Sequence, residues 1–225
     1  MSNRDPEPAQ PATQSFVFGA TRDWPGYFAS VAGKPARETL IEALRLFGDE
    51  APSDAIDLGC GEGRDTQELL GRGWNVLAID GSQAGIDLLR ARPGLAEHPR
   101  LRTRVSVFEE LSDLPRVRLL NASFSIPFCH PDRFGRFWEE LTGAIEPGGR
   151  FAGQLFGDRD SWASIPDRSH QTRAEALALL KGFDLEMFDE EERDKEDCRG
   201  YEKRWHVFHV VARKHGERDP NRMGV

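Results

Sequence analysis

The sequence contains few cysteines, no long apolar segment and no excess of basic residues. Its three cysteines, Cys60, Cys129 and Cys198, lie far apart and form no C-x-x-C pair. This spacing provides neither a disulfide framework nor a zinc site, so we predict a reduced, cytoplasmic protein without a bound metal. No apolar run approaches the length of a membrane span, and the first residues lack the apolar region of a signal peptide. We therefore expect no membrane partner.

Acidic residues outnumber basic ones, 38 to 30, which gives a formal net charge of −8. Binding to nucleic acid needs a clustered basic surface that neutralises phosphates, so we expect no nucleic-acid partner. A length of 225 residues with 38% hydrophobic and 30% charged residues is typical of a globular domain that buries a sizeable core.

A glycine-rich segment at residues 55–65 (AIDLGCGEGRD) organises the rest of the chain. An apolar run predicts a buried strand, and three glycines follow it at alternate positions, Gly59, Gly61 and Gly63. A short amphipathic helix is predicted next, and then a second apolar run that ends at Asp80. Glycines let the backbone approach a ligand closely, and an acid at the end of the next strand accepts hydrogen bonds from a ribose diol. This succession of strand, glycine turn, helix, strand and acid predicts a binding site for a nucleoside.

The charges in this segment indicate which nucleoside it binds. The dehydrogenase fingerprint is G-x-G-x-x-G, whereas this loop has a G-x-G-x-G spacing with Asp57 two residues before the first glycine and Glu62 inside it. Beside a pyrophosphate these carboxylates would be repelled. Beside a sulfonium and an ammonium group they would be attracted, so the loop favours a cationic nucleoside without phosphate.

The aspartate, the alternating glycines and Asp80 together resemble motifs I and II of the class I S-adenosylmethionine-dependent methyltransferases. A Glu-Pro-Gly-Gly turn at residues 146–149 before a predicted strand is a further likeness, and the resemblance spans about residues 36–212. It implies an α/β fold, a Rossmann-like doubly wound seven-strand sheet, mostly parallel with a C-terminal antiparallel hairpin. It also implies S-adenosyl-L-methionine as the cofactor.

The resemblance assigns parts of the cofactor to particular positions. The acid and glycines of the loop would hold the methionine part. Asp80 and the next two residues would hold the ribose, and the residues at the end of the third strand would hold the adenine. The predicted cofactor-binding residues are Asp57, Gly59, Gly61, Gly63, Asp80, Gly81, Ser82, Phe108 and Glu109.

The acceptor is predicted to be a small molecule. Adenine-directed methyltransferases carry an Asn/Asp-Pro-Pro-aromatic tetrapeptide after the fourth strand, and this sequence does not. Its nearest similarity is with the branch that includes the tellurite-resistance and thiopurine methyltransferases. A thiol, a chalcogen oxyanion, an amine and a small carboxylate all remain open as acceptors. The predicted substrate-binding residues are Trp24, Tyr27, Phe124, Phe128, Cys129 and Trp162.

The predicted catalytic residues are His130 and Asp158. His130 follows the fourth strand and would act as a general base only if the acceptor arrives protonated; the alternative is that it caps a turn. Asp158 follows the fifth strand at the rim of the crevice, where the alternative is a surface ion pair with the next residue. His206 and His209 point to opposite sides of a predicted strand, so they cannot jointly hold a metal.

Periodicity predicts the remaining elements. A helix begins at Pro35, and its predicted buried stripe is Leu40, Ile41, Leu44 and Phe47. The third strand is predicted at Val105–Phe108. Two strands, Phe183–Phe188 and Arg204–Val211, are predicted to form the hairpin, and the acidic run Asp189–Asp197 to be a solvated loop between them.

The ends of the chain are predicted to contribute little to the core. Trp24 and Tyr27 would either close over the substrate or fasten the first helix to the body. The predicted divisions are a disordered tail at 1–14, a possible lid at 15–35, the methyltransferase-like domain at 36–215 and a loose tail at 216–225.

The predicted function is in-line transfer of a methyl group to a small-molecule acceptor. Two alternatives keep the same pocket. One is a reaction that consumes S-adenosylmethionine without methylation, by intramolecular cyclisation or hydrolysis. The other is a nucleoside-binding module without catalysis. The sequence carries no signal for the oligomeric state.

Overall fold

One seven-stranded sheet runs through the part of the chain that the structure, a computed structural model, describes: residues 23–197 and 200–216. The predicted tail at 1–14, the start of the predicted lid, Cys198 and the final residues 217–225 lie outside these ranges. Among the described residues, no helix is both long and apolar enough to cross a membrane.

The strands and helices alternate along most of the chain. The strands are β1 (Asp54–Leu58), β2 (Asn75–Asp80), β3 (Leu101–Val105), β4 (Val117–Ala122), β5 (Ile145–Phe156), β6 (Phe183–Glu196) and β7 (Glu202–Lys214). The helices are α1 (Trp24–Val31), α2 (Glu38–Phe47), α3 (Arg64–Gly71), α4 (Gln83–Ala91), α5 (Pro131–Ala144) and α6 (Arg173–Leu179). Short 3₁₀ turns follow β3, β4 and β5.

The strands lie in the order β3-β2-β1-β4-β5-β7-β6. The first five pair in parallel, whereas β7 runs antiparallel to both β5 and β6. The doubly wound, mostly parallel sheet with a C-terminal antiparallel hairpin is therefore confirmed. The direction of winding reverses between β1 and β4, which opens a crevice at the carboxyl ends of these strands.

Helices cover both faces of the sheet with separate apolar cores. On one face, α5 packs Phe137, Trp138 and Leu141 against the strands. On the other face, α2, α3 and α4 bury residues that include Leu40 and Leu69. Strands buried on both faces are typical of parallel sheets, and β1 and β4 are accordingly buried over almost their whole length.

The first two helices differ from the prediction. The chain forms α1 ahead of α2, because Asp23 caps it by accepting the Gly26 N–H at 3.0 Å and Pro25 suits its first turn. Pro35 does not open α2, which begins at Glu38. The predicted burial of Ile41 is wrong, since its position on the helix turns it outward and leaves it 37% exposed.

The third strand also lies elsewhere than predicted. It ends at Val105, and Phe108 belongs to the 3₁₀ turn Phe108–Glu110. β3 is an edge strand that is partly exposed on both faces, so Arg102 and Arg104 keep contact with solvent there. These arginines are the reason the sequence pattern placed the strand too late.

The acidic run is strand and not loop. β6 continues to Glu196 and pairs with β7 along its whole length, as far as Glu196 opposite Glu202. Basic side chains neutralise the run: Arg159 donates to Glu190 and to Glu192, each at 2.9 Å. Pairing with this arginine of the loop after β5 therefore helps to keep a polar segment in strand conformation.

A buried ion pair ties the loop after β5 to β7. The side chains of Lys203 and Asp160 form a contact while only 2% and 0% exposed. Asp160 also accepts the Trp162 N–H at 2.9 Å and the His206 N–H at 3.2 Å. The Lys203 ammonium lies 4.1 Å from the centre of the Trp162 ring and 4.4 Å from that of Trp205. Burial lowers the pKa of Lys203 to about 8, although Asp160 opposes the shift.

We expect Lys203→Met to lower the free energy of unfolding by about 3 kcal/mol, because it leaves the Asp160 carboxylate buried without its cation. Urea unfolding of the two proteins measures the difference. Arg45→Met, which removes an exposed ion pair with Glu42, serves as the control and should leave the unfolding curve close to wild type. Equal, small effects of both substitutions would contradict this interpretation.

Candidate active site

A cavity of about 790 Å³ lies at the carboxyl ends of the central strands. Its walls come from the loops after β1, β2, β3 and β4, from α1, and from β5 and β7. The volume falls within the range of small-molecule sites, and the cavity spans the switch point of the sheet. It is therefore the candidate active site.

The glycine loop after β1 forms one wall. Gly59, Gly61 and Gly63 have φ of 68°, 52° and 86°, a conformation that side chains rarely adopt. A Cβ added at Gly59 would lie 2.3 Å from Cβ of Ser125, and one added at Gly63 would lie 2.6 Å from Cγ of Leu89. Only glycine therefore fits at these two positions, where the loop packs against the chain and leads into α3.

Asp80 holds this loop in place. One carboxylate oxygen accepts the Gly61 N–H and the other accepts the Ser82 N–H, both at 2.8 Å. Burial raises the pKa of Asp80, and these two hydrogen bonds oppose the shift. The acid at the end of β2 thus joins the turn after β1 to the turn after β2.

Two further acids share one amide beneath the loop. Asn121 donates to Asp57 at 2.9 Å and to Asp65 at 3.0 Å. Asp57 also accepts the Thr66 hydroxyl at 2.5 Å, and Asp65 accepts the Arg37 N–H at 2.9 Å. Burial, together with the charge of Asp65, raises the pKa of Asp57 to about 7. This half of the cavity is acidic.

The other half of the cavity is aromatic. The Phe124 ring lies 6.2 Å from that of Phe156 and 6.3 Å from that of Trp205, while Phe128 lies 6.2 Å from Trp162. Phe124 has a φ of 54°, and its N–H donates at 2.8 Å to the side chain of the buried Gln154 on β5. A non-glycine residue in this conformation at the edge of a cavity is typical of a functional site.

Arg37 lies over Phe124 in the cavity wall. Its guanidinium carbon is 4.4 Å from the centre of the Phe124 ring, and one terminal nitrogen donates to the Tyr27 hydroxyl at 3.3 Å. Its Nε is buried without a hydrogen-bond partner, and Arg37 forms no ion pair with any described residue. Arg37 therefore offers unused donors to a ligand.

Helix α1 covers the glycine loop. Phe28 is 4% exposed and would contact a Cβ at Gly61 at 3.0 Å, while the Trp24 ring lies 4.8 Å from that of Phe128. Trp24 and Tyr27 line the cavity and belong to a helix that also packs on the body. Both interpretations of this segment, lid and fastening, stay predictions.

Most residues predicted from the sequence meet in this cavity, and four do not. Those in its lining are Asp57, Gly59, Gly61, Asp80, Gly81, Ser82, Phe108, Glu109, Trp24, Tyr27, Phe124, Phe128 and Trp162. Gly63, Cys129, His130 and Asp158 are not part of the lining. Gly63 supports the loop from behind as the N-cap of α3, and Cys129 is wholly buried.

The structure does not bring the two predicted catalytic residues to the cavity. His130 caps α5, where its Nδ1 accepts the Asp132 N–H at 3.2 Å, so the turn-capping alternative describes its position. Asp158 lies in the loop after β5, 3.7 Å from Arg159 and 3.5 Å from the buried ring of His206. Both side chains are engaged elsewhere.

Sequence reasoning missed several residues of the lining, which include Arg37, Gln154, Glu191, Trp205 and His209. A signal was present for two of them. Side chains an even number of residues apart on a strand share a face, so the spacing of four between Trp205 and His209 puts them on one side of β7. Arg37 carried no such signal, because its role depends on the fold of α1 and α2.

Comparison with known proteins agrees with this architecture. Residues 55–149 match the family model described as a methyltransferase domain. Over 130 residues the chain is 32% identical to trans-aconitate 2-methyltransferase of Deinococcus radiodurans, an alignment that covers 56% of this chain and 47% of that protein. The chain thus spans about half the length of this curated relative.

Two solved structures share the fold. TehB from Haemophilus influenzae superposes with a TM-score of 0.68 and 17% identity, over 79% of this chain and 62% of that one. The 1,6-didemethyltoxoflavin-N1-methyltransferase of Burkholderia thailandensis was solved with bound 1,6-didemethyltoxoflavin and S-adenosylhomocysteine. It superposes with a TM-score of 0.60 and 21% identity, over 86% of this chain and 82% of that one.

The strand order, the glycine loop and its acids define a Rossmann-like α/β domain. Together with the match of residues 55–149 to the methyltransferase-domain model, they show that this part of the chain is similar to the class I S-adenosylmethionine-dependent methyltransferases. The family model ends at residue 149, so the aromatic residues Phe156, Trp162 and Trp205 lie beyond it. The matched segment contains the glycine loop and Asp80.

The raised pKa of Asp57 predicts how stability depends on pH without a ligand. Between about pH 4 and 7 the folded protein holds a proton on Asp57 that the unfolded chain has lost, so this group destabilises the fold as pH rises through that window. We expect Asp57→Asn to flatten the fall of melting temperature between about pH 5 and 7. Differential scanning fluorimetry measures both slopes, with the exposed Asp87→Asn as control. Parallel slopes in all three proteins would contradict the shift.

Proposed function

We propose that this chain transfers the methyl group of S-adenosylmethionine to a small-molecule acceptor. The observation that carries the proposal is a single cavity with an acidic half at the glycine loop and an aromatic half beyond Phe124. When bound, S-adenosylmethionine supplies a methyl group activated by a sulfonium. A cationic donor suits the acidic half, and an acceptor in the aromatic half would lie next to it.

The donor set of the acidic half fits this cofactor. Asp57 and Asp80 would repel a pyrophosphate, whereas a sulfonium nucleoside has none. The Asp80 oxygens each accept one backbone N–H and retain lone pairs for a ribose diol. Glu109 uses one oxygen for the His130 N–H at 2.9 Å, which leaves the other for the adenine amino group, and Phe108 provides an apolar surface beside it.

Arg37 is our candidate for the amino-acid end of the cofactor. That end carries a carboxylate and an ammonium group. The unused guanidinium donors of Arg37 suit the carboxylate, and the acids Asp57 and Asp65, one of which meets the Arg37 backbone, suit the ammonium. We infer that binding of the ammonium favours the ionised form of Asp57.

The aromatic half serves alignment and exclusion of water. Methyl transfer in line with a departing neutral thioether depends on the orientation of the two reactants and on a dry site. Phe124, Phe156, Trp162 and Trp205 would enclose the acceptor on several sides. None of them is needed for the nucleoside.

The reaction is tested by its product. With S-adenosylmethionine and a set of acceptors that includes trans-aconitate, after the curated relative, we expect S-adenosylhomocysteine in mass spectrometry. Methylthioadenosine in its place would indicate cyclisation or another non-methylating reaction. Tight binding without turnover across the set would indicate a nucleoside-binding module. Either outcome would contradict the proposal.

A second test separates the two ends of the cofactor. We expect Arg37→Met to weaken S-adenosylhomocysteine binding about 10- to 100-fold, roughly 1.5–3 kcal/mol, because a charged hydrogen bond is lost. Methylthioadenosine lacks the carboxylate, so its affinity should not change, whereas Asp80→Asn should weaken both ligands. Isothermal titration calorimetry measures the affinities, with the exposed Arg72→Met as control. Equal weakening of both ligands by Arg37→Met would argue against the assignment.

A further inference from the structure

Strand β7 places a histidine in the aromatic half of the cavity. Among the described residues that line the cavity, His209 is the only histidine. Its side chain is 19% exposed, and its ring lies 6.0 Å from the ring of Phe124. The cofactor contacts proposed above make no use of it.

A carboxylate on the neighbouring strand orients this ring. Nε2 of His209 lies 3.0 Å from one oxygen of Glu191, and the other oxygen of Glu191 contacts Arg193. Glu191 and Arg193 also line the cavity. With the proton on Nε2, His209 donates to Glu191, and Nδ1 keeps its lone pair without a hydrogen-bond partner among the described residues. A histidine held by a carboxylate through one nitrogen is the arrangement of a general base.

We propose that His209, oriented by Glu191, is the general base of this enzyme and that its acceptor is a planar aromatic molecule with a protic O–H or N–H nucleophile. The inference rests on the proposed methyl transfer. The aromatic walls of Phe124, Phe156 and Trp205 select a planar molecule. The base selects an acceptor that must lose a proton, since a carboxylate would already be ionised.

The proton of the acceptor O–H or N–H passes to Nδ1 of His209, and the lone pair of that oxygen or nitrogen forms the new bond to the methyl carbon. The bond between that carbon and sulfur breaks, and its electron pair stays on sulfur. The neutral thioether and the methylated acceptor result, while Glu191 stabilises the imidazolium.

The charges around His209 come from three directions. β6 contributes Glu191 and, directly opposite in the ladder, Asp189. On β5 the partner of His209 is Gln154, which carries no charge. Arg37 lies beyond the Phe124 ring. Two carboxylates thus face the imidazole from β6, and the guanidinium of Arg193 is paired with Glu191.

The acceptor class is tested with matched compounds. Phenol, 2-naphthol and indazole form the protic aromatic set, and benzoate and trans-aconitate form the carboxylate set; S-adenosylhomocysteine formation is measured for each. We expect turnover of the protic set. Turnover of the carboxylates alone would overturn the inference and leave the proposed function intact. No turnover of any acceptor by protein that binds S-adenosylmethionine would contradict both.

The base is tested with two phenols that differ in acidity. We expect His209→Gln to slow methylation of phenol about 10²- to 10⁴-fold. 4-Nitrophenol ionises by itself near neutral pH, so His209→Gln should slow its methylation by less than about tenfold. Glu191→Gln should shift the acid limb of the pH–rate profile to lower pH, because the imidazolium loses its nearest anion. Equal losses with both phenols in His209→Gln, or an unshifted profile in Glu191→Gln, would overturn the assignment.

The chain offers a matched control for these variants. His215 and Asp184 form a pair of the same kind, 3.0 Å apart, at the far end of the hairpin, with side chains 54% and 73% exposed and outside the cavity. His215→Gln should leave both phenol rates unchanged. Calorimetric affinity for S-adenosylmethionine, measured for every variant, should equal that of wild type and so show that the fold and cofactor site are retained.

Discussion

The carboxylate of Asp80 is the contact on which the candidate site depends. It holds the turn after β1 and the turn after β2 in one arrangement through two backbone N–H groups. Because Gly59 and Gly63 approach Ser125 and Leu89 too closely for any side chain, the loop packs only in this conformation. Phe28 then has a surface to cover, which is why α1 lies over the loop. A single acid thereby organises both a binding wall and its cover.

Two further acids beneath the loop make the ligand-free site electrostatically unfavourable. Asp57 and Asp65 lie under the loop with one amide, Asn121, between them, and a pKa of about 7 for Asp57 reflects the cost of its buried charge. A cationic ligand above the loop offsets that cost, because it favours the ionised carboxylate. In the proposed function, the charge that destabilises the empty fold contributes affinity for a sulfonium nucleoside, and the aromatic half beyond Phe124 takes the acceptor.

The position of a residue could be predicted from the sequence where its geometry depends on neighbouring residues in the chain, and not where it depends on tertiary contacts. The glycine loop and Asp80 were predictable, because local spacing determines their geometry, and with them the fold of the sheet. The extent of β6 was not, since its acidic residues form strand only where Arg159 and the facing strand neutralise them. The position of His130 was not predictable for a similar reason, because it depends on the helix that the residue caps through Nδ1.

The set of side chains in the aromatic half of the cavity depends on the register of β7. On β7, Trp205, Val207 and His209 face the cavity, whereas the alternate residues His206 and Phe208 are buried on the other side. A slip of one residue would exchange the two faces and remove the histidine from the site. The hairpin with β6 prevents that slip, because its ladder continues through the acidic run to the tip and brings Glu191 beside His209. The pairing of the acidic part of β6 with β7 thus determines where the proposed base lies. The same pairing holds Glu191 within reach of His209.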